Sequence, residues 1–150
     1  MIKLLITVLA TAFTLQTVAL ANLGDIDEDE LENPVIGLGK EELQVENWEG
    51  AIVQFEKALE NTPNSADLHN FLGYAYRKLG NIEVALKHYD KALAIDPDHV
   101  GAIEYLGEAY ISLGDEIKAK QQLSKLERLC SPVPCEELAE LRRAINSAFK

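Results

Sequence analysis

An all-α fold, a short stack of antiparallel helix pairs closed by a C-terminal capping helix, is predicted by three observations. The frame of residues 72–80, "LGYAYRKLG", returns at residues 106–114 as "LGEAYISLG", a displacement of 34 residues. A fixed period of this size marks a repeat array, whose usual work is to hold a partner. Apolar residues between Ala66 and His99 fall at helical spacing, Leu68, Phe71, Leu72, Ala75, Tyr76 and Leu79, then Ile82, Leu86, Tyr89, Ala92, Leu93 and Ile95. Each such run is closed by a residue that ends helices, Gly80, after which Asn81 is expected to cap the next helix, and Pro97 in "IDPDH". Two helices joined by so tight a turn must lie antiparallel, and the small residues Gly73 and Ala85 let their backbones approach.

Residues 1–21, "MIKLLITVLATAFTLQTVALA", carry Lys3, an apolar run from Leu4 to Leu15 and the small-x-small site Ala19-Leu20-Ala21. That is the pattern of a signal peptide cleaved after Ala21, and it predicts an exported protein, periplasmic or secreted. The run is shorter than the ~20 residues that cross a bilayer, and Gln16 breaks it, so no membrane insertion is expected after cleavage. Residues 22–37 begin "NLGDIDEDELENP" and are expected to form an acidic flexible N-terminus, because like charge and few large apolar groups do not offset ordering entropy. Asp25, Asp27 and Asp29 echo a calcium loop, but Glu30 stands where that loop needs Gly and Ile36 where it needs Glu, so no metal is expected.

Of the 150 residues, 47% are hydrophobic and 26% charged, which suits one globular domain. Removing Lys3 from 14 basic residues leaves 13 against 25 acidic, a net charge of −12 for the mature chain. That sign opposes phosphate backbones, so a nucleic-acid partner is not expected. A protein or peptide partner, of basic character, fits better.

Residues 66–99, "ADLHNFLGYAYRKLGNIEVALKHYDKALAIDPDH", resemble a tetratricopeptide repeat. Leu72, Gly73 and Tyr76 match the first-helix motif and Ala85, Tyr89, Ala92 and Pro97 the second, with His69 at the usual tryptophan place. A further copy, residues 100–131, keeps Leu106, Gly107, Tyr110, Gly114 and Ala119, with Leu123 where an aromatic is usual and Leu126 where a small residue is usual. Residues 38–65 read as a degenerate copy: Ala51, Phe55, Ala58 and Pro63 are in register and Trp48 is a packing aromatic. Glu42 replaces the expected Tyr and Glu46 the expected Gly, so its first helix is expected to be short, about Lys40 to Glu46. The resemblance spans residues 38–131 and implies a right-handed α-solenoid of about 2.5 repeats.

A terminal repeat must be covered. Residues 132–150 supply the cover, a helix with Leu138, Leu141, Ile145, Ala148 and Phe149 on one stripe. Cys130 and Cys135 flank the turn before it, and in an exported chain they are expected to form a disulfide. The sharper alternative, a redox protein using this pair, lacks C-x-x-C spacing and a nearby base.

No catalytic constellation emerges. His69, His88 and His99 fall on different elements without i, i+4 spacing, and the glycines sit at helix ends and helix contacts, so neither enzyme activity nor a cofactor is expected. The family resemblance instead implies a concave groove lined by the first helix of each pair. Carried onto this chain, the stripe is Asp67, Asn70, Tyr74 and Arg77, then Gly101, Glu104, Glu108 and Ile111. Phe71, Gly101 and Tyr105 stand where family members that clamp a C-terminal carboxylate need polar or basic groups, so that ligand is not expected. The reading that results is a non-catalytic scaffold or adaptor. Its rival is a permanent structural subunit of a cell-envelope complex.

Overall fold

The computed structural model describes residues 34–150; the expected signal peptide, its expected cleavage site at Ala21 and the acidic run up to residue 33 lie outside the described residues. Seven helices follow one another among the described residues: α1 Pro34–Gln44, α2 Trp48–Leu59, α3 Ala66–Lys78, α4 Ile82–Ile95, α5 Val100–Ser112, α6 Glu116–Leu129 and α7 Glu136–Ala148. None of them is long and apolar enough to cross a membrane.

Consecutive helices pack as pairs, α1 on α2, α3 on α4 and α5 on α6, and each pair stacks on the next. The three turns inside the pairs share one hydrogen-bond pattern. The amide of Asn81 donates to the Tyr76 carbonyl (2.9 Å), that of Asp115 to Tyr110 (2.9 Å) and that of Asn47 to Glu42 (2.9 Å). This six-residue closure satisfies carbonyls that a helix end leaves open, and it requires a left-handed residue just before the donor. Gly80 (φ 81°) and Gly114 (φ 71°) supply it, and in the first pair the same place is taken by Glu46 (φ 58°). The degenerate copy therefore keeps the turn without keeping its glycine.

Two expectations for this region need correction. The first helix begins at Pro34, not near Lys40, so Pro34–Gly37 belong to a helix and not to the acidic N-terminal segment. Proline suits a first helical turn, and Val35 and Ile36 gain contacts against the core around Phe55. Asn81 occupies the N-cap of α4, but its side chain makes no capping hydrogen bond.

The cores are layered along the stack. Phe55 and Leu68 anchor the first, Tyr89 and Leu106 the second, and Ile103, Leu126 and Leu141 the third. Gly39 lies against the Phe55 ring and Gly73 against the Tyr89 ring so closely that a side chain at either glycine would collide. Gly107 is the counterpart in the third pair, and a Cβ there would sit 2.7 Å from Leu141 of α7. The capping helix thus fills the notch that an aromatic of its own pair fills in the other two.

Helix α7 packs on both α5 and α6, with Leu138, Leu141 and Ile145 buried. Phe149 adds to the same core, whereas Ala148, expected on this stripe, is exposed where the helix ends. Cys130 and Cys135 are joined across the turn, with Cα atoms 5.4 Å apart, and both pack against the third core.

Candidate functional site

The first helices of successive pairs, α1, α3 and α5, border a groove of about 470 Å³ whose far end is closed by α7. Leu43 and Gln44 come from α1, Asn70, Phe71 and Tyr74 from α3, Val100, Gly101, Glu104 and Tyr105 from α5, and Glu137 from α7. Helical spacing explains the set: residues three and four apart share a face, so one stripe per helix reaches the same trough.

Of the stripe expected from sequence, the structure brings Asn70, Tyr74, Gly101 and Glu104 together in this groove. The others are engaged elsewhere. Asp67 accepts from His99 at 2.9 Å, while Nδ1 of the same ring accepts from the Ala102 amide at 3.1 Å and so caps α5. The hydrogen bond holds the Asp67 carboxyl below its usual range and His99 above its own. Arg77 pairs with Glu108 at 2.5 Å, its guanidinium 5.4 Å from the Tyr74 ring centroid and 5.5 Å from that of Tyr105. Ile111 packs into the third core.

Aromatic rings form one wall. Tyr74 and Tyr105 lie 5.0 Å apart, and Trp48 meets Tyr74 edge-on at 5.9 Å with the Lys78 ammonium 5.2 Å above its ring. Burial, followed by the Glu104 charge, pushes the Tyr105 phenol up to about 12. The opposite character appears at the floor. Asn70 is 6% exposed and Glu104 3%, yet Asn70 Oδ1 and Glu104 Oε1 have no hydrogen-bond partner. Burial, then Glu108 and then Glu140, pushes the Glu104 carboxyl up to about 8.

For the groove, sequence reasoning singled out Tyr105 and Phe71 as obstacles to a carboxylate clamp and not as lining, and it overlooked Glu137. The two aromatics occupy equivalent register positions in their repeats, which is a readable signal. Glu137 joins the groove through the stacking of α7, which no spacing announces. The histidines also hold a contact that spacing did not reveal: His69 and His88 face each other across α3 and α4 with Nδ1 atoms 3.1 Å apart. Burial holds both below their usual value, His88 at about 4, so one neutral ring donates to the other. Among the described residues, no group of three or more His, Cys, Asp or Glu side chains could hold a metal ion.

Models of the tetratricopeptide repeat match residues 36–100 and 77–128, which together cover all three helix pairs. The chain belongs to the tetratricopeptide repeat family. Its repeats have the all-α solenoid architecture of that family. Among solved structures, the Yersinia enterocolitica type III secretion translocator chaperone SycD is 18% identical, with a TM-score of 0.71 over 85% of this chain and 89% of that one. The TPR2B domain of yeast Sti1, in complex with pHsp70, is 21% identical, with a TM-score of 0.71 over 77% and 93%. PcrH, in complex with the chaperone-binding region of PopD, is 23% identical, with a TM-score of 0.69 over 84% and 96%. At these identities the likeness is one of fold. No curated protein matches the chain.

Proposed function

We propose that this repeat protein is a non-catalytic scaffold, exported to the periplasm, that recruits an extended protein or peptide segment through the groove along α1, α3 and α5. The observation that carries the reading is the groove itself, an open trough with aromatic walls and an unpartnered Asn70 Oδ1 able to accept from a peptide amide. Similar folds solved with a bound partner, Sti1 with pHsp70 and PcrH with a region of PopD, support the same use. Export rests on residues 1–21, and the pairing of Cys130 with Cys135 suits an oxidising compartment. Both cysteines pack in the third core, which favours a structural staple over a redox centre.

Capture from native envelope extract tests the proposal. Wild type is compared with a folded Asn70→Ala, Tyr74→Ala variant and with Lys87→Ala, which alters exposed surface on α4. A species retained by wild type and Lys87→Ala but lost by the groove variant supports recruitment there. Retention by all three would place the working surface elsewhere.

A second reading, a permanent subunit of an envelope complex, is favoured by exposed Leu38, Val45 and Val53 on the first pair. It expects native protein to elute from size-exclusion chromatography almost wholly in a larger species.

A further inference from the structure

We infer that the end of the groove between Tyr105 and the carboxyl groups of Glu104 and Glu137 is a subsite for one lysine or arginine side chain of the bound segment. The inference rests on the peptide-binding reading above and names the chemistry of its most buried contact.

Of the two unpartnered atoms at the groove floor, Asn70 Oδ1 is an acceptor and Glu104 Oε1 is one once its carboxyl is ionised. A ligand must therefore donate hydrogen there, and burial makes an unmet acceptor costly enough to select for one. The charges facing Glu104 are Glu108 on its own helix and Glu137 and Glu140 on α7, all acidic. Arg77 of α3 pairs with Glu108 while its Nε is unpartnered, Arg143 pairs with Glu140, and His99 is tied to Asp67. Tyr105, Tyr74 and Phe71 add aromatic faces to the same trough, rings that already draw cations of this chain, Arg77 to Tyr74 and Tyr105 and Lys40 to Phe71 at 6.0 Å.

Other occupants fit less well. A terminal carboxylate would meet the carboxyl groups of Glu104, Glu108, Glu137 and Glu140. A bare divalent ion lacks three converging ligands among the described residues. The chain's own residues 22–33 carry Asp25, Asp27, Glu28, Asp29, Glu30 and Glu32 without a basic residue, so charge opposes their folding back into the groove. A long cationic side chain can place its head at Glu104 while its methylenes lie along the rings.

Because Glu104 is held at about 8 before binding, it is mostly neutral at pH 7, and the cation must displace its proton. Apparent affinity falls by the fraction of sites that are competent. It therefore rises with pH through the free-state value and then levels. His99, tied to Asp67 in the same groove, loses positive charge as pH rises and acts in the same direction, so a Glu104 variant is needed to separate the two.

The test is an NMR titration of the full mature chain with Nα-acetyl-lysine methylamide, against its norleucine counterpart, following side-chain carboxyl carbons. The lysine probe is expected to shift Glu104, Glu137 and the Tyr105 ring saturably, the norleucine probe not, with affinity roughly 25-fold higher at pH 8.5 than at pH 6.5. Glu104→Gln should remove most of that pH dependence, and Glu137→Gln at the groove end should weaken lysine binding while leaving the circular dichroism spectrum unchanged. Equal shifts from both probes, no shift from either, or undiminished lysine binding in both variants would overturn the subsite. Partner capture lost with the Asn70, Tyr74 variant but no lysine preference sinks this inference alone; capture that ignores the groove sinks the recruitment reading.

Discussion

Gly73 and Gly107 hold the same register in successive repeats, yet different helices fill the space beside them. Tyr89, from the partner helix of the same pair, lies on Gly73, while Leu141, from the capping helix beyond the disulfide, lies on Gly107. The middle pair is complete in itself. The third is completed from outside, because Leu123 stands where the other pairs have Phe55 and Tyr89. The capping helix is thus part of the third core as well as its cover.

The largest break in this comparison should come from Tyr89→Ala, which empties the fully buried notch of the middle pair and should cost about 4 kcal/mol by chemical denaturation. Leu141→Ala should follow at about 3 kcal/mol, with α7 amides losing exchange protection together with those of α5. A cap that merely shields solvent would release α7 alone. Gly107→Ala sharpens the point: it should destabilise the native chain by roughly 2 kcal/mol through overpacking and cost much less in the Leu141→Ala background. Equal costs in both backgrounds would mean that Leu141 does not own the notch.

Serine at both Cys130 and Cys135 should remove about 2 kcal/mol, the chain-entropy value for so short a loop, and leave partner capture intact. Loss of capture without loss of stability would instead revive a redox role.

The two histidine contacts respond to acid in opposite senses. His88 is depressed to about 4, so its contribution is fully present above the unfolded value near 6.5 and is lost as pH falls through the folded one. His99 is raised, so its contribution is present below the unfolded value and is lost as pH rises. His88→Gln should therefore flatten the decline in melting temperature between pH 6.5 and pH 4. A decline of unchanged slope would locate the acid sensitivity elsewhere.

Much of this architecture was legible in the sequence, because a fixed period places Gly73 and Gly107, or Tyr76 and Tyr110, in equivalent surroundings before any coordinate is known. Contacts outside the period were not. Asp67 with His99, and Glu104 with Glu140, depend on how one helix settles against another far along the chain, and a stripe drawn on one helix counts such residues as free surface. Hence Asp67 and Arg77 read as groove residues although their charges are already spent on neighbours, while Glu137 went unnoticed. The first helix was misjudged for a different reason: Glu46 broke the sequence signature without breaking the backbone turn.

That turn has a directional consequence. Glu46 holds a left-handed conformation that costs a side-chain-bearing residue about 1 kcal/mol, whereas the opposite end of the stack is cross-linked. In a linear array whose units are coupled only to their neighbours, a loosened first unit and a fastened last one make opening vectorial. Amide exchange should therefore run fastest in α1 and α2 and slow stepwise toward α7, so that a partner pulling on the N-terminal end peels the molecule, and one pulling on the other end meets all of it at once.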